Sequence, residues 1–266
     1  DPKQQASQKS FELKARDGLL LHGVLTLPPG SDGKNLPMVV VPHGGPFGIF
    51  DHKGFDEDDQ ILAQHGYAVL QVNYRGSGGY GRAFQHAGMK QWGRTMQDDV
   101  TDATRWAIAQ GIADGKRICI YGMSYGGYAA LMGPIREPDL YKCAADYAGP
   151  SDLAKITRWD SQHRSELMQT WFAKWVGAGA EVAPVSPALN ADKFHVPLLL
   201  AHGYRDARVG VRHAQAMHKQ LRDKGVPVDY IEYSDTGHYL WLEKHHEDFY
   251  TRLLRLLDQN IGPGAK

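Results

Sequence analysis

Gly122-Met123-Ser124-Tyr125-Gly126 stands between an apolar run, residues 117–121, and an alanine- and glycine-rich run that begins at Tyr125. The first run reads as a buried strand and the second as a helix, so Ser124 falls on the turn between them. A serine on a strand-to-helix turn, with a glycine two residues to either side, is the arrangement that lifts a nucleophilic hydroxyl clear of a sheet. The glycines remove the Cβ atoms that would collide where the chain folds back on itself. Alone the pentapeptide is a modest signal in a chain with 30 glycines, so its surroundings decide the matter.

Working outward, residues 37–42, 68–74, 143–148, 196–202 and 229–233 are further short apolar runs, and helical patterns cover 55–65, 95–110, 125–136, 209–224 and 242–261. This alternation predicts the α/β class, with a largely parallel sheet. Met38-Val39-Val40-Val41 and Pro197-Leu198-Leu199-Leu200 are continuous enough to require helices on both faces of that sheet. Gly111 and Gly225 follow two of the helices as C-caps would, with Pro227 shortly after the second. Two leading strands, 11–14 and 19–27, join through Asp17-Gly18, and residues 1–9 form a polar lead-in to a single domain over 10–262. Residues 151–192 break the alternation and carry Trp159, Trp171 and Trp175. They read as a helical insertion over the pocket; its tryptophans either supply apolar substrate-binding surface or only pack the excursion.

Composition removes several function classes. Lys plus Arg and Asp plus Glu are 30 each among 266 residues, which argues against a nucleic-acid or anionic-membrane partner. No apolar run approaches the roughly 18 residues that span a bilayer. The reading is a soluble protein, cytoplasmic or periplasmic/secreted, and a chain opening on Asp1 is compatible with a removed leader or upstream domain. The two cysteines, Cys119 and Cys143, are too few for a disulfide framework, and each is expected as a free thiol buried in a strand.

A serine hydroxyl needs a base within reach and a carboxylate to hold that base. Among 13 histidines, His238 follows the last strand in Ser234-Asp235-Thr236-Gly237-His238, whereas His245 and His246 lie inside a helical pattern. Asp206 follows the preceding strand through Gly203-Tyr204-Arg205. It is preferred over Asp235, which is placed to shape its own turn. Oxyanion donors are expected from the backbone N–H of Tyr125 and from Gly44 or Gly45 in His43-Gly44-Gly45-Pro46. Arg75 and the glycine-rich stretch after it are expected to form a structural loop held by Asp98 or Asp99.

Taken together, His43-Gly44-Gly45-Pro46, Asn73-Tyr74-Arg75-Gly76-Ser77-Gly78-Gly79-Tyr80-Gly81, Gly122-Met123-Ser124-Tyr125-Gly126-Gly127-Tyr128, His202-Gly203-Tyr204-Arg205-Asp206 and Gly237-His238 resemble the catalytic domain of the prolyl oligopeptidase family, in its acylaminoacyl-peptidase and dipeptidyl-peptidase-like branch. The resemblance implies an α/β-hydrolase fold and a serine peptidase that cleaves short peptides through an acyl-enzyme, with no cofactor or metal. It also implies that Arg208, two residues after the acid, binds the peptide carbonyl adjoining the scissile residue. A carboxylesterase is the alternative, and a non-catalytic interaction module a remote one. Two departures stand out: these 266 residues hold no repeats of the β-propeller that such members carry at the N-terminus, and Tyr239-Leu240-Trp241 is bulkier than the small residues common after the histidine.

Overall fold

Eight strands form one sheet in the order β1-β2-β4-β3-β5-β6-β7-β8 in a computed structural model that describes residues 5–156 and 166–262. They are β1 Ser7–Lys14, β2 Leu20–Leu27, β3 Leu36–Val40, β4 Ala68–Asn73, β5 Ala113–Met123, β6 Cys143–Tyr147, β7 Leu198–Gly203 and β8 Val228–Tyr233. β1 is antiparallel to β2 and β2 is antiparallel to β4, and every pairing from β4 through β8 is parallel. Helices α1 Glu57–Gln64, α2 Gly81–Ala87, α3 Thr95–Ala109, α4 Tyr125–Arg136, α5 Glu166–Trp175, α6 Arg212–Arg222 and α7 Glu243–Asn260 surround it. This is the α/β-hydrolase fold.

Alternate side chains of each central strand enter different cores, which is why the runs read as continuous. Met38, Val40, Ile118, Ile120, Leu198 and Leu200 are buried on one face with Val100 of α3, Leu131 of α4 and Met217 of α6. Val39, Tyr121, Leu199 and Ala201 are buried on the other with Leu62 of α1 and Phe249 and Leu253 of α7. Local signals set the boundaries: Asp56 accepts from the Asp59 amide at 3.0 Å and so caps α1.

Four findings refine or correct the sequence reading. β1 reaches back to Ser7, inside the stretch read as a lead-in. α2 begins at Gly81, the last glycine of the stretch expected as a loop, and is anchored by the buried Phe84. Arg75 is held by Asp99 and not Asp98, through Nε to Oδ2 at 2.8 Å and Nη2 to Oδ1 at 2.7 Å, while Asp98 pairs with Arg16 and Arg136. The expectation of free thiols is overturned: Cys119 and Cys143 are joined by a disulfide. They are directly in register on the parallel neighbours β5 and β6, with Cα atoms 4.8 Å apart, a pairing that cysteine number and spacing do not reveal. In the insertion, α5 is followed by 3₁₀ turns at Gly179–Val185, Pro187–Leu189 and Ala191–Lys193. Among the described residues no helix is long and apolar enough to cross a membrane.

Candidate active site

The loops after β3, β5, β7 and β8 leave the same edge of the sheet, because these strands are parallel, and they bring Gly44, Ser124, Val209 and His238 to one cavity of about 580 Å³. Ser124 has φ 58° and ψ −120°, a conformation that a residue with a Cβ adopts only when its surroundings enforce it. Its amide donates to the Tyr147 carbonyl at 2.9 Å and its carbonyl accepts from the Tyr128 amide at 3.0 Å. The flanking glycines permit the turn: a Cβ on Gly122 would strike the Gly126 backbone, and one on Gly126 would strike the Pro42 carbonyl.

His238 and Asp206 face each other from neighbouring loops, with His238 Nδ1 donating to Asp206 Oδ2 at 2.7 Å. The other oxygen, Oδ1, accepts from the amides of Arg208 at 2.7 Å and Val209 at 2.9 Å. Burial alone would favour the neutral acid, but the bonds from His202 and His238, the charge of His238 and the Val209 amide hold the Asp206 carboxyl well below the usual carboxylate range. An ionised carboxylate at this position fixes the proton on Nδ1 and leaves Nε2 as the basic nitrogen. Asp235, the rival acid, is instead engaged by Lys244 and His245 on α7.

Tyr125 begins α4, so its amide is one of the helix N-terminal donors without an intrahelical acceptor. Across the cavity, the buried His43 is pushed down to about 4 by desolvation and is neutral. Its Nδ1 lies 2.8 Å from the Gly44 carbonyl oxygen and its Nε2 2.8 Å from the Ser77 hydroxyl oxygen, which in turn lies 2.7 Å from the Tyr74 carbonyl. The Tyr74 hydroxyl donates to the His43 carbonyl at 2.7 Å, which fixes the preceding peptide as well. With the Gly44 carbonyl turned to the His43 ring, the Gly45 N–H of the same trans peptide points the opposite way. Gly44 itself packs close to the nucleophile, since a Cβ there would lie 3.7 Å from the Ser124 Cβ.

Of the residues expected to contact substrate, Arg208 and Trp171 line the cavity. Trp175 stands behind it, its ring 4.6 Å from Phe47 and 5.4 Å from His86. Trp159 lies outside the described residues. Sequence reasoning missed Trp92, Ile49, Ile156 and Phe172, which also line the cavity, and His202, whose Nε2 lies 2.7 Å from the Val209 carbonyl and 3.3 Å from Asp206 Oδ2. The only trace of His202 in the sequence is a polar residue closing the otherwise apolar run Leu198-Leu199-Leu200-Ala201, and its full burial appears only in the fold. Among the described residues no cluster of side chains is suited to hold a metal ion.

Residues 53–264 match the prolyl oligopeptidase family. The chain is 35% identical to dipeptidyl aminopeptidase BIII of Pseudoxanthomonas mexicana, over 97% of this chain and 39% of that protein. It is 31% identical to dipeptidyl peptidase family member 6 of Caenorhabditis elegans, over 96% of this chain and 38% of that one. A puromycin-hydrolyzing peptidase of Mycobacterium tuberculosis superposes with a TM-score of 0.88 at 27% identity, over 98% of this chain and 41% of that one. The acylaminoacyl peptidase of Pyrococcus horikoshii shares the fold with a TM-score of 0.87 at 24% identity, over 98% of this chain and 43% of that one. The chain therefore spans about two fifths of the length of these relatives. On the family match and on identity that runs through nearly its whole length, the chain belongs to the prolyl oligopeptidase family.

Proposed function

We propose that the chain is the catalytic domain of a serine peptidase that cleaves peptide or N-acylated peptide bonds of short substrates. The observation that carries this is the 2.7 Å Asp206–His238 pair, which opens onto the same cavity as a serine on a strained elbow. Ser124 Oγ attacks the scissile carbonyl carbon while His238 Nε2 takes its proton and Asp206 stabilises the imidazolium. The new oxyanion meets the Tyr125 and Gly45 N–H groups, each worth about 2.7–4 kcal/mol of barrier. Collapse expels the amine, which takes the proton back from His238, and water then cleaves the acyl-enzyme by the same steps.

Arg208 at the rim supplies cationic donors for the carbonyl one residue before the scissile bond, and Trp171 contributes apolar wall. We propose also that an N-terminal β-propeller sits over this cavity in the complete protein and limits substrate size; relatives more than twice as long as their matched portion support this. The test is Ser124→Ala. It should abolish labelling by a fluorophosphonate probe and lower turnover of dipeptide anilides by about 10⁴-fold or more, with the folded state retained. Labelling that persists would place the nucleophile elsewhere, and turnover of short-chain esters alone would make the protein a carboxylesterase.

A further inference from the structure

Arg208 and Tyr239 belong to different loops, one after β7 and one after β8, and they meet at the cavity rim. Arg208 Nη1 donates to the Tyr239 hydroxyl at 2.9 Å, and the guanidinium carbon lies 5.1 Å from the centre of the Tyr239 ring. The same ring stands edge-on to His238 at 5.2 Å and against Trp241 at 5.3 Å. One side chain thus touches both the base and the arginine. The arginine backbone is already fixed, because its amide donates to Asp206 Oδ1 at 2.7 Å. What remains to be set is the head of a long side chain with several rotatable bonds, and a guanidinium recognises a carbonyl only when its planar fork is aimed.

We propose that Tyr239 is a positioning residue for Arg208, and that through it the site selects substrates with a carbonyl on the acyl side of the scissile residue, peptides and N-acyl amino acids, over simple esters that lack one. This rests on the peptidase reading above. The hydroxyl fixes the plane of the guanidinium, the ring face holds its cation, and the contact with His238 keeps carbonyl anchor and base at a constant separation. A small residue after the histidine would leave the arginine without this restraint. The bulk of Tyr239 is then a specificity device and not an obstruction at the pocket edge.

The experiment measures kcat and KM for a dipeptide p-nitroanilide and for p-nitrophenyl butyrate in the complete protein, as wild type, Tyr239→Phe, Arg208→Ala and the double variant. Tyr239→Phe keeps the ring, and fluorophosphonate labelling of Ser124 confirms a folded site in each variant. The expected result is a roughly three- to tenfold fall in the anilide-to-ester ratio of kcat/KM for Tyr239→Phe, the range of one hydrogen bond, carried by KM for the anilide. The double variant should be no worse than Arg208→Ala, because the tyrosine acts through the arginine. A ratio that does not move in Tyr239→Phe, or losses that multiply in the double variant, overturns the proposal while leaving the peptidase reading intact. A wild type that is labelled and hydrolyses the ester but no anilide overturns both.

Discussion

Asp206 is the most heavily contacted carboxylate of the site, and behind it lies a second buried acid that the reaction scheme does not use. Asp146, on β6, is fully buried beneath the start of α4: its Oδ1 accepts from the Gly149 amide at 2.7 Å. Desolvation pushes its carboxyl up from 3.8 to about 7, opposed by the charge of His202 and by the Gly149 bond. The folded state therefore holds a proton that the unfolded state has released between about pH 4 and pH 7, so stability falls as pH rises through that window. The buried His43 and His213, pushed down to about 4 and about 3, work the other way: their contribution is lost as pH falls from 6.5 through those values. Asp146→Asn mimics the neutral acid and isolates one term, since both histidines remain in the variant. Its unfolding free energy should fall less between pH 5 and pH 8 than that of the wild type, by at most about 3 kcal/mol. Parallel pH dependences in urea melts would show that Asp146 is ionised in the folded protein throughout. For the acid itself, Asp206→Asn should reduce kcat by about 10⁴ without altering the fold, because an amide cannot hold the proton on His238 Nδ1. A pre-steady-state burst of wild-type size would exclude Asp206 as the orienting group.

Elements place these residues, and the junction between β3 and α4 is among the tightest of them. A Cβ on Gly126 would run into the Pro42 carbonyl at the end of β3, where backbone and not a flexible side chain must give way. Gly126→Ala should therefore cost about 1–3 kcal/mol by overpacking and move Ser124 relative to the Gly44-Gly45 turn. The readout is a lowered melting temperature together with slowed fluorophosphonate labelling, and a variant matching the wild type in both would show that the junction yields. The elements most legible in the sequence were those with repeated signals. Strands β2 to β8 carry apolar runs or apolar alternation along most of their course and β1 only the alternating Phe11 and Leu13, while the helix after Ser124 coincides with its expected limits because its start and its alanine-rich course are both written locally. α2 was not legible, since its seven residues begin at the last of four glycines within Gly76–Gly81 and depend on the single anchor Phe84. The proposed triad could be read from the sequence because each member occupies the first turns after a strand in a fixed order. Trp92, Tyr239 as a partner of Arg208, and His202 behind Asp206 were not, because each acquires its role from a neighbour remote in sequence or from a depth that only packing defines.

At the scale of the whole molecule, two cores on either side of one sheet hold the eight strands, and Cys119–Cys143 ties β5, the strand that delivers Ser124, to its neighbour β6. Register is what joins the two cysteines: two apolar runs with α4 between them become adjacent parallel strands only once the crossover is built. The bond closes a loop of 24 residues in the unfolded chain, and on chain-entropy grounds such a closure stabilises the folded state by about 3 kcal/mol. Both residues are fully buried, so the disulfide resists reductants until the protein opens. Alkylation in denaturant without reductant should leave both cysteines unmodified by mass, and prior reduction of the unfolded chain should expose two reactive thiols. The paired variant Cys119→Ala/Cys143→Ala should lose about 3 kcal/mol in urea denaturation, with some of that loss arising from the vacated sulfur volumes. To separate the two contributions, the oxidised wild type is compared with wild type unfolded and refolded under reducing conditions, which keeps the sulfur atoms and removes only the bond. Two alkylated cysteines in the unreduced protein, or equal stability of the oxidised and reduced forms, would mean that the sheet is held by packing alone.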